Sequence, residues 1–283
     1  MADFEIKDGV AIIPEGTTEI GEGAFYDCAE LTSIVIPDSV TSIGRRAFYG
    51  CAELTSVVIP ESVTSIGREA FSKCTALTDV VIPDSVVAVG EWAFYKCTSL
   101  TSAVCSAGLA EIGDIFSHCT ALKSVVVPQG VTSLKGTFAG CISLASVEIP
   151  DSVTTIGESV FNGCSGLTNM VIPDSVTMIG YGTFAHCTAL TDVVISNSVE
   201  TIDEKAFIKC EALTSIGIPN SVTTFAGMSM LVKPVHPSNA ESPILVTPLG
   251  ITTFVNALQP PNTLSAISVA PSVIVTLINP EQP

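Results

Sequence analysis

A repeat of 22 or 23 residues runs through most of this 283-residue chain and constrains its fold more than any other feature. Leucine recurs with this spacing at Leu31, Leu54, Leu77, Leu100, Leu122, Leu144, Leu167, Leu190 and Leu213. Phenylalanine does the same at Phe25, Phe48, Phe71, Phe94, Phe116, Phe138, Phe161, Phe184 and Phe207. Cysteine follows at Cys28, Cys51, Cys74, Cys97, Cys119, Cys141, Cys164, Cys187 and Cys210. Because one unit is too short to enclose a core, the units are expected to stack and cover one another's apolar edges.

The unit at residues 31–53, LTSIVIPDSVTSIGRRAFYGCAE, shows how one repeat is built. Its first part alternates, with Ile34 and Ile36 on one side and Ser33 and Val35 on the other. This alternation predicts a strand with one buried face. Strands of successive units then pair in parallel about 4.8 Å apart, so about nine and a half units predict a rod about 45 Å long.

The second part of the unit returns the chain to the next strand. Residues 37–39 form a turn, and Gly44 allows a tight bend. Ala47, Phe48 and Cys51 follow at i, i+1 and i+4, which predicts one short helical turn facing the core on the convex side. Helical turns in neighbouring units would lie about 8–10 Å apart.

Two consecutive units, beginning at Leu100 and Leu122, have 22 residues instead of 23. Each lacks one residue shortly before its phenylalanine, whereas the strand pattern is intact. We therefore expect a local shift in curvature or helix content on the convex side, with an unbroken sheet.

The I-P-x-S-V turn, the I-G bend and the A-F-x-x-C segment recur from about residue 19 to residue 224, and this pattern resembles the BspA-type leucine-rich repeat family. The resemblance implies an α/β-like repeat solenoid with one parallel β-sheet face and short helical or irregular convex segments. Many proteins of the family lie on the surfaces of bacteria and protists and attach to host proteins or other cells.

The sequence predicts two domains. Residues 1–225 form the solenoid, and residues 226–283 form a Pro-rich, apolar tail that contains nine of the 17 prolines. Proline at this density is incompatible with regular helices and central strands. The tail is interpreted either as a C-terminal cap that covers the last unit or as a linker.

Net charge excludes some classes of partner. The chain carries −17, from 11 basic and 28 acidic residues, so nucleic acid and anionic membranes are poor partners. No apolar run of about 18 residues predicts a membrane span. The N-terminal sequence lacks the features of a signal peptide.

The ten cysteines are interpreted as buried free thiols that fill core space, including Cys105, which takes the place of Ile36 in its unit. Their spacing lacks the C-x-x-C pairs of zinc sites. Free thiols and the missing signal peptide favour a cytoplasmic location. The family resemblance favours the alternative, a secreted or cell-surface protein.

The outward-facing strand positions are the predicted binding surface. Ten residues of five successive units form the candidate site: Ser33, Val35, Ser56, Val58, Asp79, Val81, Ser102, Val104, Ser124 and Val126. An exposed row of valines is unexpected on a face that meets only water, and contiguous apolar surface often marks a partner site. The alternative is that valine is repeated only for its β-propensity.

Other residues that could carry a function give weaker predictions. The acidic residues after the turn proline, Glu15, Asp38, Glu61, Asp84, Asp151 and Asp174, are interpreted as solvated turn residues, with calcium binding as the alternative. His118 and His186 are expected on the surface, too far apart to share a metal, and Trp92 is expected half exposed, with packing favoured over a binding role.

No Ser-His-Asp set, phosphate-binding loop or pair of catalytic carboxylates stands out, so we expect neither enzymatic activity nor a cofactor or metal. The sequence predicts a protein-binding module of the adhesion or scaffold type, which uses the outward strand face. The alternative is a structural spacer whose Pro-rich tail carries the specificity. Neither the identity of the protein ligand nor the oligomeric state follows from the sequence.

Overall fold

The computed structural model describes residues 4–225 and 245–248, which contain strands and turns but no helix. In chain order the strands are β1 (Ile6–Lys7), β2 (Val10–Ile12), β3 (Glu19–Ile20), β4 (Ser33–Val35), β5 (Ser42–Ile43), β6 (Ser56–Val57), β7 (Ser65–Ile66), β8 (Asp79–Val81), β9 (Ala88–Val89), β10 (Ser102–Val104), β11 (Glu111–Ile112), β12 (Ser124–Val126), β13 (Ser133–Leu134), β14 (Thr155–Ile156), β15 (Asn169–Val171), β16 (Met178–Ile179), β17 (Asp192–Val194), β18 (Thr201–Ile202), β19 (Ser215–Ile218), β20 (Thr224–Phe225) and β21 (Leu245–Pro248).

The strands form two parallel rows, because a typical unit contributes one strand to each. The first row contains the predicted strands, in the groups β1-β2-β4-β6, β8-β10-β12, β15-β17 and β19-β21. The second row contains two-residue strands that follow the proline turn, in the groups β3-β5-β7-β9 and β11-β13-β14-β16-β18-β20. The antiparallel hairpin of β1 and β2 begins the first row. The solenoid and its parallel sheet are confirmed, and the second row is an addition to the prediction.

The expected unbroken sheet is wrong, because both rows are interrupted at or next to the short units. In the second row β9 does not pair with β11, which belongs to the first short unit. In the first row residues 145–148 form no strand between β12 and β15, directly after the second short unit. The first row is also interrupted between β6 and β8 and between β17 and β19, whose units have 23 residues, so the length of the unit does not by itself decide where the pairing ends.

The eight residues from the glycine to the cysteine of the unit, 44–51, are here called the turn segment, and the outer surface of all such segments is the turn face. The predicted helical turn is wrong here, because successive i→i+3 bonds form instead, such as Tyr49 N to Arg46 O at 3.1 Å. The segments also bond to one another, as in Phe48 N to Ala70 O at 2.7 Å. The irregular alternative is therefore the correct one.

The glycine of the I-G pair is required by a close approach between units. A Cβ atom added to Gly67 would lie 2.5 Å from the backbone nitrogen of Arg45, and one added to Gly44 would lie 2.8 Å from that of Glu22. A larger residue at either position would separate the units. This finding revises the expectation that Gly44 serves the bend alone.

The phenylalanines stack along the core. Seven of them, from Phe48 to Phe184, are fully buried, and adjacent rings are nearly parallel, as in Phe71 and Phe94 with centroids 5.2 Å apart. The distance increases to 5.7 Å between Phe94 and Phe116 and to 6.4 Å between Phe116 and Phe138. The short units thus change the stacking distance on this side, without adding a helix to the described residues.

All ten cysteines are free, as predicted, and eight are buried, whereas Cys28 and Cys210 are half-buried. Eight thiols donate to the carbonyl of the phenylalanine 25 or 26 residues earlier, as Cys51 Sγ does to Phe25 O at 3.0 Å. Cys105 is 3% exposed and belongs to the core. The cysteine column therefore links neighbouring units.

Candidate functional site

The outward side chains of the first row of strands, here called the strand face, carry the predicted site. Alternation along each strand buries one side chain and exposes the next, as in β8, where Val80 is buried and Val81 is 57% exposed. The predicted valines are all exposed, at Val35, Val58, Val81, Val104 and Val126.

Backbone pairing brings three of these valines into one ladder. Val104 is in register with Val81 on one side and with Val126 on the other. Neighbouring parallel strands lie about 4.8 Å apart, so the three side chains form a contiguous apolar strip. Val35 belongs to a separate group of strands, in which Val58 lies one residue beyond the paired end of β6. The five predicted valines therefore form two clusters.

The polar half of the predicted site lies two residues before each valine. Ser56, Asp79 and Ser124 are exposed, and Ser33 and Ser102 are half-buried. Asp79 accepts a hydrogen bond from Thr78 Oγ1 at 2.8 Å, which orients its carboxylate at the start of β8. The strip is thus bordered on one side by hydroxyl groups and a single carboxylate.

Three further apolar residues belong to the strand face but were not included in the prediction. Ile12 is 65% exposed and pairs in register with Val35, so it extends the first cluster towards the N-terminus. Val171 and Val194 pair with each other beyond the interruption at residues 145–148. The prediction missed Ile12 because this residue lies before the first complete unit of the repeat.

The acidic column forms a line of exposed side chains along the turns, at Glu15, Asp38, Glu61, Asp84, Asp151 and Asp174. Asp84 Oδ1 accepts a hydrogen bond from the backbone nitrogen of Ala107 in the next unit, at 2.9 Å. Within residues 4–225 and 245–248, no three His, Cys, Asp or Glu side chains are grouped so that they could hold a metal ion.

The remaining candidates lie on the turn face. His118 and His186 are exposed and Trp92 is half-buried, as predicted. A helix of membrane-spanning length and hydropathy is absent from the part of the chain that the structure describes. The predicted second domain, residues 226–283, lies outside the described residues except for β21, whose backbone pairs in parallel with β19.

Comparisons with known proteins agree with this architecture. The sequence model of the BspA type leucine rich repeat region matches residues 18–137 and 114–231. A leucine-rich repeat protein from Bacteroides ovatus ATCC 8483 is 30% identical, over 78% of this chain and 73% of that one, with a TM-score of 0.61. A leucine rich cell surface protein from Faecalibacterium prausnitzii A2-165 is 28% identical, over 77% of this chain and 83% of that one, with a TM-score of 0.47. A comparison with curated protein sequences gives no match.

Proposed function

Because the chain belongs to the BspA-type leucine-rich repeat family, we propose that it binds a protein partner through the strand face, as an adhesion or scaffold module. One observation carries the proposal: the ladder of Val81, Val104 and Val126 is exposed along a rigidly paired sheet. Contiguous exposed apolar surface is costly in water and is typical of binding surfaces.

The chemistry of the strip indicates the kind of partner. A complementary surface would present an apolar ridge to the valines, with hydrogen-bonding groups opposite Ser102, Asp79 and Ser124. Such a surface has an apolar centre and a polar rim, which is the usual composition of a protein interface. The role is one of binding rather than catalysis.

The experiment compares three forms of the protein as baits. Val81→Glu combined with Val104→Glu places two charges in the strip, and Val87→Glu is the control, because Val87 is 64% exposed but lies outside the strand face. Partners captured by the wild type are identified by mass spectrometry, purified and titrated against each form. Circular dichroism checks that all three fold.

We expect the double variant to weaken binding at least tenfold and the control to leave it unchanged. Equal affinity of the double variant and the wild type would reject the strand face as the site. We also infer that residues 1–225 and 226–283 are separate domains. If deleting residues 226–283 abolishes binding that the valine variant retains, the spacer with a specific tail is the better description.

A further inference from the structure

The turn face contains a groove of about 550 Å³ that the strand-face proposal does not involve. It extends from residue 46 to residue 139, and its lining is basic and aromatic, with Arg46, Tyr49, Lys73, Trp92, Lys96 and His118. Glu69 and Asp114 are its two carboxylates. The volume lies within the range of sites that hold small molecules or short oligomers.

Basic residues are concentrated in and beside the groove, on a protein whose net charge is strongly negative. The chain has 11 basic residues and a net charge of −17, yet five basic residues lie in three consecutive turn segments, at Arg45, Arg46, Arg68, Lys73 and Lys96. Glu69 is almost fully buried and pairs with both Arg46 and Arg68. Lys73 and Lys96 are exposed and form no ion pair within the described residues. These two ammonium groups are therefore available to an anion.

Aromatic rings hold the cationic side chains in place. Lys73 Nζ lies 4.9 Å from the centroid of the Tyr49 ring, and Lys96 Nζ lies 5.2 Å from that of Tyr95. The Arg68 guanidinium lies 4.6 Å from the Trp92 ring. Cation–π contacts of this kind restrict the rotamers of the long side chains before any ligand arrives.

The backbone of the groove has the conformation of the turn segments in general. Six residues of the groove have positive φ angles although they are not glycine: Arg46, Glu69, Lys73, Trp92, Lys96 and His118. At the same two positions of other units, glycine is present, as in Gly136 before the phenylalanine and Gly140 before the cysteine. Glycine adopts this conformation without the steric penalty that other residues carry. Non-glycine residues adopt positive φ angles at these positions outside the groove as well, as Ser159, His186 and Lys205 do, so this conformation belongs to the turn segment rather than to the groove alone.

The residues that line the groove favour some classes of anionic ligand over others. The backbone amides here already bond to the next unit, as Lys73 N does to Tyr95 O at 2.7 Å and His118 N to Ala139 O at 2.6 Å. A peptide strand therefore finds no free main-chain partners for β-augmentation, and the charged lining does not suit the apolar face of a helix. A long polyanion such as nucleic acid meets the net charge of the whole chain, whereas a short oligomer meets mainly the local charge of the groove, because salt screens charges beyond about 10 Å.

We propose that this groove binds an acidic oligosaccharide, one whose sugar rings carry carboxylate or sulfate groups. Lys73 and Lys96 meet the acidic groups of successive sugars, since their units are one stacking step apart. Trp92 and Tyr95 present flat surfaces to the C–H faces of the rings, and His118 offers a hydrogen bond to a hydroxyl group. This site lies on the turn face, so its occupancy is independent of the valine strip.

The test uses the full chain and its single tryptophan, Trp92, as the reporter. A galacturonate hexasaccharide supplies a carboxylate on every sugar, a heparin hexasaccharide adds sulfates, chitohexaose is the neutral sugar, and hexaglutamate is the acidic peptide. Each is titrated at low salt while the Trp92 emission is recorded, with calorimetry as a second measurement.

The diagnostic variant is Lys73→Gly with Lys96→Gly, which removes both ammonium groups and relieves two left-handed backbones, so it is expected to fold. The matched control is Lys205→Gly with Lys209→Gly, because these lysines also have positive φ angles but lie in the last complete unit, outside the groove.

We expect saturable binding of at least one acidic hexasaccharide, weakened at least tenfold in the Lys73/Lys96 variant and less than twofold in the control, with no binding of chitohexaose. The galacturonate and heparin arms show whether carboxylate suffices. The Val81→Glu/Val104→Glu protein should bind as the wild type does. Absence of binding at millimolar saccharide, equal binding by the Lys73/Lys96 variant, or tighter binding of hexaglutamate would each overturn the proposal.

Discussion

Arg46 and Glu69 occupy the same position of adjacent units, and the Arg46 Nε donates to the Glu69 carboxylate although both backbones are left-handed, with φ angles of 54° and 56°. Glu69 also lies 3.6 Å from Arg68 Nε. Glu69 is only 8% exposed. Its carboxylate therefore lies between two guanidinium groups at the edge of the core.

We expect Glu69→Gln to lower the free energy of unfolding at pH 7, because the two guanidinium groups lose their common carboxylate. The hydrogen bond from Arg46 lowers the pKa of Glu69. A carboxyl group with a lowered folded pKa stabilises the protein above its unfolded pKa, about 4.3, and loses that contribution as the pH falls through the folded value. Urea unfolding at pH 7, 5 and 3 should show the difference from wild type shrinking towards pH 3.

Glu91→Gln is the control for this prediction. Its carboxylate lies 3.8 Å from Arg68 Nη1, and the side chain is 63% exposed. Exposed ion pairs contribute little to stability. A loss as large in this variant as in Glu69→Gln, or a loss for Glu69→Gln that does not change with pH, would contradict the role assigned to burial.

The buried thiols predict sensitivity to alkali, which Cys105 allows to be tested. Burial raises the pKa of Cys105 to about 12, whereas an unfolded cysteine titrates near pH 8.5. The unfolded chain therefore releases a proton that the folded chain keeps, and stability present below about pH 8.5 is lost as the pH rises towards 12, by about 1.4 kcal/mol per pH unit for one thiol.

The free energy of unfolding of the Cys105→Val variant should fall less steeply with pH than that of the wild type, by about 1.4 kcal/mol per pH unit, since valine is apolar and does not titrate. The measurement is urea unfolding between pH 8 and 11 with a reducing agent present. The slope with pH, rather than the absolute stability, is compared, so any packing change cancels. Identical slopes for the two proteins would show that the folded Cys105 thiol ionises at an ordinary pH.

The serine of the I-P-x-S-V turn gives a prediction about register. Ser175 Oγ donates to Val153 O, 22 residues earlier, at 2.6 Å. Ser152 has its hydroxyl oxygen buried without a partner within the described residues. The preceding unit is one residue short, so the corresponding carbonyl, that of Val131, comes 21 residues earlier instead of 22.

We expect Ser175→Ala to lower the free energy of unfolding by about 1 kcal/mol, because a hydrogen bond is lost. Ser152→Ala should leave it unchanged or raise it, since alanine removes a buried hydroxyl that lacks a partner. Thermal unfolding of the two variants beside the wild type measures the contrast. Equal destabilisation would mean that Ser152 Oγ has a partner in solution.

The sequence predicted those features that follow from side-chain periodicity. The alternation of apolar and outward side chains around Ile34 and Val35 predicts the first row of strands. The 23-residue repeat predicts that Phe48 and Cys51 lie in the core. The second row was missed because its strands, such as Ser42–Ile43, are only two residues long and are defined by bonds between units. Periodicity within a unit carries no signal for such bonds.

The prediction of a helical turn was wrong for a related reason. The i, i+1, i+4 spacing of Ala47, Phe48 and Cys51 fits a chain of tight turns as well as a helix. The glycines before the phenylalanine or the cysteine, such as Gly23 and Gly50, were a signal for left-handed backbone that was not used. The groove could not be predicted from the sequence, because Lys73 and Lys96 come together only through the way in which their turn segments stack.

The phenylalanine column predicts that stability is shared between nearest neighbours. Phe71 and Phe94 have ring planes only 1° apart with centroids at 5.2 Å, whereas Phe184 lies several units away. Phe71→Leu and Phe94→Leu should each cost less than the roughly 3–5 kcal/mol of truncating a buried phenylalanine to alanine. In a double-mutant cycle, Phe71 and Phe94 should couple by about 0.5–1.5 kcal/mol, since adjacent aromatic rings interact beyond their burial. Phe71 and Phe184 should be additive within about 0.5 kcal/mol, because they share no partner. Urea unfolding of the three single variants, at Phe71, Phe94 and Phe184, and of the two double variants gives both coupling energies. Equal coupling in the two pairs would mean that strain is transmitted along the whole column rather than between neighbouring units.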